Sequence, residues 1–249
     1  MGGVSGKNAV IKEKKRGKDM IRLEQANVRA IIFDYDGVLA HSVDNSSGAV
    51  LYNLYRAQSA DDPLHMRKVY ELLKNRELGS ADWISELKEK AGIDINDRKI
   101  LKEISDRLFR ISKFTQARFC WVERVIPPLA ERVPLAICSN NCRKAVEYAM
   151  STLLEHFSAI VTYEDVKKLK PDREGLLLIS KILGVPPEET LFVGDSMEDV
   201  FAGNAAGMLM ACPTWSLKGR FGHYPKKGNS IIELSNPELL LRLVSKIKK

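Results

Sequence analysis

Short apolar runs separated by polar clusters dominate the chain from residue 28 onward. Five of these runs end at a turn signal or a polar cluster: residues 28–33, 133–138, 159–161, 190–194 and 209–212. A run this short and this uniformly apolar is typical of a strand that is buried on both faces, as in a parallel sheet. The pattern therefore predicts five core strands.

Helical periodicity occupies the gaps between the later runs. Residues 143–154 are periodic, residues 172–183 run from a Pro-Asp start to Gly184, and residues 199–206 stop before Gly207. These boundaries match the usual helix start and stop signals. Because strand and helix alternate, the sequence predicts an α/β fold with a Rossmann-like, doubly wound parallel sheet.

The stretch between the first two runs differs from this pattern. Residues 45–115 contain no convincing strand, and their apolar positions recur at helical spacing. A single crossover connection needs only about a dozen residues. We therefore predict an all-helical cap domain at 45–115, inserted into a core formed by residues 27–44 and 116–249. Residues 115–132 predict a helix that returns to the core and breaks at its two adjacent prolines.

The positive charge of the chain is concentrated at its ends. The 249 residues carry a formal net charge of +7, but residues 1–29 hold eight Lys or Arg against three acids, and the last four residues hold three lysines. Residues 30–245 are left with a formal charge of −1. We therefore expect no nucleic-acid partner, and the polar, basic residues 1–26 predict a flexible leader.

Two further patterns concern the cellular location. No apolar run approaches the roughly 18 residues of a membrane span, so we expect no membrane association. The cysteines form no C-x-x-C pair and no zinc-binding spacing, which favours reduced thiols in a cytoplasmic protein. They are Cys120, Cys138, Cys142 and Cys212.

Polar side chains follow four of the predicted strands directly or within one loop. They are Asp34 and Asp36, then Ser139 and Asn140, then Lys170, and finally Asp195 and Asp199. Ligands of open α/β sheets bind in the crevice at the carboxyl ends of the strands. These residues therefore predict one polar site at that edge of the sheet.

The charges of this set indicate what the site binds. Asp34, Asp195 and Asp199 bring a charge of −3 when ionised, which a half-buried site does not carry alone. One divalent cation together with Lys170 makes the site nearly neutral. Oxygen ligands without histidine or cysteine favour Mg²⁺ over zinc. This combination predicts phosphoryl transfer with an aspartate nucleophile.

Four short motifs in this order resemble those of the haloacid dehalogenase-like superfamily. They are DYDGV at 34–38, ICSN at 137–140, KLKP at 168–171 and GDSMED at 194–199. The resemblance covers the chain from about residue 28 to its end. Within the superfamily the chain is similar to the phosphoglycolate phosphatase-like group, in which a helical cap is inserted between the first and second motifs.

The resemblance implies a role for each residue of the site. Asp34 would be the nucleophile, and Asp36 would protonate the leaving alkoxide and then activate water. The residues implied to bind the substrate phosphate are Gly37, Ser139, Asn140 and Lys170. The residues implied to hold Mg²⁺ are Asp34, Asp36 through its carbonyl, Asp195 and Asp199.

The function that the resemblance implies is hydrolysis of a small phosphorylated metabolite through an aspartyl-phosphate intermediate. Asp36 favours phosphate esters, since dehalogenases and phosphonatases lack a carboxylate there. Val38 stands where many family phosphatases carry threonine, and members with valine include sugar-phosphate mutases. A mutase of the β-phosphoglucomutase type is therefore the alternative, and a non-catalytic binding module with the same fold is a second one. The oligomeric state is not predicted.

Overall fold

A six-stranded parallel sheet forms the centre of the computed structural model, which describes residues 27–41, 118–216, 231–244 and scattered residues between 67 and 106. The strands are β1 (Ala30–Phe33), β2 (Leu135–Cys138), β3 (Ala159–Val161), β4 (Thr190–Val193), β5 (Leu209–Pro213) and β6 (Ile232–Leu234). Their order is β3-β2-β1-β4-β5-β6, and each adjacent pair is parallel. The predicted α/β fold class is confirmed.

Helices cover both faces of the sheet. They are α1 (Val122–Ala130), α2 (Arg143–Ala149), α3 (Glu174–Leu183), α4 (Met197–Ala206) and α5 (Leu239–Val244). Side chains from α1, α2 and α5 join one buried apolar cluster, and side chains from α3 and α4 join a second one. Among the described residues, no helix combines the length and the apolar character that crossing a membrane requires.

The central strand β1 is apolar throughout because each face of the sheet contacts a helical layer. All four residues of β1 are buried. Ile31 and Phe33 belong to the first apolar cluster, and Ile32 belongs to the second. Successive strand residues point to opposite faces, so a strand with a core on both sides has no polar position.

The chain places its strands first on one side of β1 and then on the other. From β1 the sheet extends through β2 to β3, and the chain then returns through α3 to place β4 on the other side of β1. Such a reversal leaves a crevice at the carboxyl ends of the two central strands, β1 and β4, where open α/β folds bind their ligands. The topology therefore places the ends of β1 and β4 side by side.

Two of the four predicted helices differ from the observed ones by more than two residues at an end. The predicted break at the two prolines is wrong, because α1 continues through Pro127 and Pro128. The carbonyls that lose their hydrogen bonds to these prolines belong to Glu123 and Arg124, both of which are exposed residues. The helix predicted over 143–154 ends at Ala149, because the chain turns there and buries Leu153 against the first cluster.

The sixth strand was not predicted from the sequence. β6 has only three residues, and Glu233 between its two buried neighbours is exposed. An edge strand of this length gives too few alternating positions to be distinguished from a loop.

The predicted domain division remains a prediction. Residues 1–26 lie outside the described residues, as does most of the predicted cap at 45–115. Leu87–Ala91 form a π-helical turn, and residues 98, 99, 102, 103 and 106 are helical. The guanidinium of Arg98 donates to the carbonyl of Glu164 at 3.4 Å, which places this part of the predicted cap beside the turn that follows β3.

Candidate active site

Asp34 is the first residue beyond β1 and lies at the bottom of the crevice. Its N–H donates to the Val193 carbonyl at 2.8 Å, so the backbone of Asp34 continues the ladder between β1 and β4. Its carboxylate is almost completely buried, with 9% of the side chain exposed. The sheet itself therefore holds this carboxylate in place.

The chain turns sharply after Asp34. The carbonyl of Tyr35 accepts hydrogen bonds from the N–H groups of Leu39 at 3.0 Å and Ala40 at 3.1 Å. Gly37 adopts a positive φ of 78° within this turn, and its N–H donates to the Ala40 carbonyl at 2.8 Å. The turn keeps residues 35–40 compact at the end of the central strand.

Lys170 connects two of the predicted carboxylates. Its Nζ lies 2.7 Å from Asp34 Oδ1 and 2.6 Å from Asp199 Oδ1, and it donates to the Cys138 carbonyl at 3.2 Å. All three charged side chains are at most 9% exposed. The ammonium uses its three N–H donors on these three oxygens.

Asn140 fixes the backbone that carries this lysine. Its Oδ1 accepts from the N–H of Lys170 at 3.0 Å, and its Nδ2 donates to the Lys170 carbonyl at 2.9 Å. The side-chain amide therefore holds the loop that follows β3 against the end of β2. Because these bonds occupy the side chain, the predicted contact of Asn140 with phosphate would fall to its backbone N–H.

Asp199 lies in the first turn of α4. Its Oδ2 accepts hydrogen bonds from the Ser196 hydroxyl at 2.6 Å and from the Ser196 N–H at 3.0 Å, and Ser196 Oγ in turn accepts from the Asp199 N–H. This reciprocal capping box begins the helix. One carboxylate oxygen thus caps α4, and the other contacts Lys170.

Asp195 directly follows Gly194 at the end of β4. It is 2% exposed, and its Oδ2 accepts a short hydrogen bond from the Ser216 hydroxyl. A Cβ atom at Gly37 would collide with this carboxylate. The absence of a side chain at Gly37 therefore lets the turn after β1 approach the end of β4.

Three carboxylates converge in a way that fits a hard divalent cation. One oxygen from each of Asp34, Asp195 and Asp199 lies within 4.8 Å of the others, and all three residues are buried. The donor atoms are oxygens only, the set that Mg²⁺, Ca²⁺ or Mn²⁺ prefers. With Lys170 as the cation among them, the four groups carry a formal charge of −2, which one divalent ion neutralises.

The pKa shifts follow from this crowding. Burial raises the pKa of Asp34 well above its ordinary value, and the charge of Asp199 raises it further. Burial alone would lower the pKa of Lys170, but the charges of Asp199 and Asp34 outweigh burial and raise it. Burial would also raise the pKa of Asp199, but Lys170 and Ser196 outweigh it, so that the pKa of Asp199 is lowered. Of Asp34 and Asp199, only Asp34 has a raised pKa, so its negative charge is the one that Lys170 does not fully offset.

Asp36 and Ser139 lie on the β2 side of the same crevice. The Nδ2 of Asn141 donates to Asp36 Oδ2 at 3.0 Å, and the N–H of Asn141 donates to Ser139 Oγ at 3.0 Å. The Asp36 side chain is not part of the group formed by the three converging carboxylates. Its position leaves it available for a role other than metal binding through the carboxylate.

The predicted site residues therefore lie together at the carboxyl ends of the strands, where open α/β folds bind their ligands. The roles that the resemblance implies for them remain predictions. Asn141 and Ser216 also contact predicted site residues and were not themselves predicted. Asn141 follows the predicted Ser139-Asn140 pair directly, and Ser216 follows β5, so applying the same rule to every strand end would have found both.

Comparisons with known proteins bear on the family and the fold of this chain. The model of the haloacid dehalogenase-like hydrolase family matches residues 28–207. The pyrophosphatase PpaX of Bacillus cereus strain AH820 is 40% identical over 88 residues, which are 34% of this chain and 41% of that protein. The match thus spans about two fifths of the length of this curated relative.

Solved structures with the same fold cover nearly the whole of this chain. A putative phosphoglycolate phosphatase from Lactobacillus plantarum is 18% identical, with a TM-score of 0.62 over 87% of this chain and 99% of that chain. CbbY from Rhodobacter sphaeroides is 21% identical, with a TM-score of 0.61 over 88% and 99%. A putative β-phosphoglucomutase from Thermotoga maritima is 20% identical, with a TM-score of 0.55 over 89% and 100%. At these identities the likeness establishes the fold.

Proposed function

Because the chain belongs to the haloacid dehalogenase-like hydrolase family, we propose that it is a Mg²⁺-dependent phosphatase of small phosphomonoesters that acts through an aspartyl phosphate on Asp34. The observation that carries this proposal is the Lys170 ammonium between Asp34 and Asp199, within 2.7 Å of both, beside a third buried carboxylate. Such a site binds a cation and a phosphoryl group together and holds a carboxylate ready to attack.

The proposed reaction has two chemical steps. One oxygen of Asp34 attacks the phosphorus, the new P–O bond forms as the bond to the leaving oxygen breaks, and Asp36 gives that oxygen a proton. Water then attacks the phosphorus of the aspartyl phosphate and gives its proton to Asp36. The second step releases inorganic phosphate and restores the Asp34 carboxylate.

The other residues bind the phosphoryl group and balance its charge. Lys170 offsets negative charge that develops on the phosphoryl oxygens and on Asp34. Ser139 Oγ accepts from the Asn141 N–H, which leaves the hydroxyl proton of Ser139 free to be donated to a phosphoryl oxygen. The backbone N–H of Asn140 would complete the set of donors, since the Gly37 N–H already donates to the Ala40 carbonyl at 2.8 Å. The phosphate contact predicted for Gly37 would therefore require that turn to rearrange.

The metal would be held by the carboxylates of Asp34, Asp195 and Asp199 and by the Asp36 carbonyl. When bound, Mg²⁺ would neutralise charge on the phosphoryl oxygens and lower the repulsion between phosphate and the carboxylates. The raised pKa of Asp34 supports this assignment, because the ionised nucleophile needs more positive charge than Lys170 alone supplies.

A phosphate-release screen with Mg²⁺ tests the proposal. The panel comprises 2-phosphoglycolate, sugar phosphates, nucleotides and inorganic pyrophosphate, the last because the relative named PpaX is a pyrophosphatase. We expect Mg²⁺-dependent turnover of at least one compound, loss of activity in EDTA, and a fall of roughly 10³-fold or more in Asp34→Asn. Product analysis with a hexose 1-phosphate distinguishes hydrolysis from a mutase reaction, since only hydrolysis releases inorganic phosphate.

The control for Asp34→Asn is Glu155→Gln, the same chemical change on a side chain that is 82% exposed. The control should keep full activity. A folded Asp34→Asn variant with the activity of the unaltered protein would refute the aspartyl-phosphate mechanism. Absence of turnover across the panel would favour a non-catalytic binding module.

A further inference from the structure

Asn141, in the loop after β2, makes three hydrogen bonds, one each with Ser139, Asp36 and the following Cys142. Its N–H donates to Ser139 Oγ at 3.0 Å, and its Oδ1 accepts from the N–H of Cys142 at 2.7 Å. Its Nδ2 donates to Asp36 Oδ2 at 3.0 Å. The side chain thus contacts the predicted acid–base carboxylate, and the backbone N–H of the same residue contacts the predicted phosphate-binding hydroxyl.

The orientation of this amide is determined by its neighbours. The Cys142 N–H requires an acceptor, so the oxygen of the Asn141 amide faces it. The amide nitrogen must then face Asp36 Oδ2, which accepts its hydrogen bond whether or not Oδ1 carries the proton for the leaving group. Both ends of the amide therefore have matching partners.

We propose that Asn141 is a positioning residue that holds the Asp36 carboxylate in the orientation from which it protonates the leaving group. The proposal rests on the proposed phosphatase function. Asp36 lies on a tight turn and is only partly buried. Without the Asn141 amide, the Asp36 carboxylate would lose the hydrogen bond that fixes its Oδ2 on the β2 side of the crevice, and the geometry of proton transfer would be disturbed.

Substrates whose leaving groups differ in their need for a proton distinguish a positioning role of Asn141 from a merely structural one. An alkoxide leaves slowly unless it is protonated, whereas p-nitrophenolate leaves without a proton. The value of kcat/KM reports the steps up to the transfer of phosphate to Asp34, so it includes proton donation by Asp36 and excludes hydrolysis of the phosphoenzyme. A displaced Asp36 therefore slows an alkyl ester far more than a nitrophenyl ester.

The experiment compares glycerol 2-phosphate and p-nitrophenyl phosphate in Asn141→Ala, with Mg²⁺ present. We expect kcat/KM for glycerol 2-phosphate to fall by about 10- to 100-fold, part of the roughly 10²- to 10⁴-fold that general acid catalysis supplies. For p-nitrophenyl phosphate the fall should stay below about 3-fold. Circular dichroism and the melting temperature establish that the variant is folded.

Two further variants serve as controls. Asn141→Ser keeps an oxygen beside the Cys142 N–H but is too short to reach Asp36, so it should behave like Asn141→Ala. This variant also carries the test if Asn141→Ala does not fold. Asn27→Ala removes another asparagine–carboxylate hydrogen bond, from Asn27 to Glu189 at 2.9 Å, at the opposite end of β1. Asn27→Ala should leave kcat/KM for both esters unchanged.

Three outcomes would overturn the proposal, and they have different meanings. If the Asn141 variants lower kcat/KM for both esters by the same factor, Asn141 has a structural role only. If Asn141→Ser retains full activity toward glycerol 2-phosphate, the contact with Asp36 is unimportant for proton transfer. If the unaltered protein hydrolyses neither these esters nor any compound of the screen, the proposed function fails and this inference fails with it.

Discussion

Replacing Lys170 with methionine tests the charge balance at the ends of the strands. Methionine retains much of the aliphatic length of lysine but removes the ammonium that contacts Asp34 at 2.7 Å and Asp199 at 2.6 Å. Asp34, Asp195 and Asp199 would then share the buried crevice without a cation. We expect the variant to be destabilised in the absence of metal and to recover part of the loss when Mg²⁺ binds.

The magnitude follows from the burial of the three partners. The side chains of Lys170, Asp34 and Asp199 are 6%, 9% and 0% exposed. Removing one partner of a buried ion pair costs about 3–5 kcal/mol, because the remaining charge is left uncompensated. Lys168 provides the matched control, since its side chain is 73% exposed and lies 3.7 Å from Asp172. Lys168→Met should change the free energy of unfolding by at most about 1 kcal/mol.

The pH dependence of the loss has a definite sign. Lys170 lowers the pKa of Asp199, so this contact stabilises the fold above the ordinary value of 3.8, and its contribution is lost as the pH falls through the lowered pKa. In Lys170→Met the carboxylates repel one another. Because the variant lacks the Lys170 charge that offsets burial at Asp34 and Asp199, ionising these carboxylates costs more, and the variant becomes progressively less stable as the pH rises. The deficit relative to the unaltered protein should therefore be larger at pH 7.5 than at pH 4.5.

Urea unfolding in EDTA, followed by tryptophan fluorescence, measures this loss. Trp121 and Trp215 pack against each other with ring centroids 5.3 Å apart and report on the core. A midpoint for Lys170→Met that equals that of Lys168→Met would refute the buried charge network. A deficit that is the same at both pH values would refute its electrostatic origin.

Three other predictions concern the same edge of the sheet. Gly37→Ala should abolish Mg²⁺-dependent activity, because the added Cβ collides with Asp195. The control is Gly207→Ala, which has the same φ of 78° but open space around it, and which should cost only about 1–2 kcal/mol of stability. An active Gly37→Ala variant would refute the collision. Mg²⁺ at 100 times its Kd should stabilise the native state by about 2.7 kcal/mol and raise the melting temperature by roughly 5–10 °C. Asp195→Asn should remove this shift. An unchanged melting temperature in the unaltered protein would count against a metal site. A thiol reagent at pH 8 should modify exposed Cys120 rapidly and Cys138 only after unfolding, because burial raises the pKa of the Cys138 thiol to about 12. Rapid modification of Cys138 in the native protein would contradict its burial.

Much of the fold could be predicted from the sequence because it depends on local patterns. Four of the five predicted strands differ from the observed ones by one or two residues at an end, and 159–161 matches β3. A strand with a core on both faces leaves a uniformly apolar run in the sequence. The helix α1 was predicted less well, because Pro127 and Pro128 indicate a break whenever the environment of the helix is unknown.

The sequence by itself determined the fold class, the family resemblance, and the chemical character of the strand ends, because each depends on residue types at short, regular spacing. Only the tertiary structure decided how these residues are connected. Asn140 holds Lys170 in place, Asn141 contacts Asp36 across 105 positions of the chain, and Ser216 donates to Asp195. The physical reason is that hydrogen bonds between separate strand ends depend on how the sheet brings those ends together, and no local pattern encodes that arrangement.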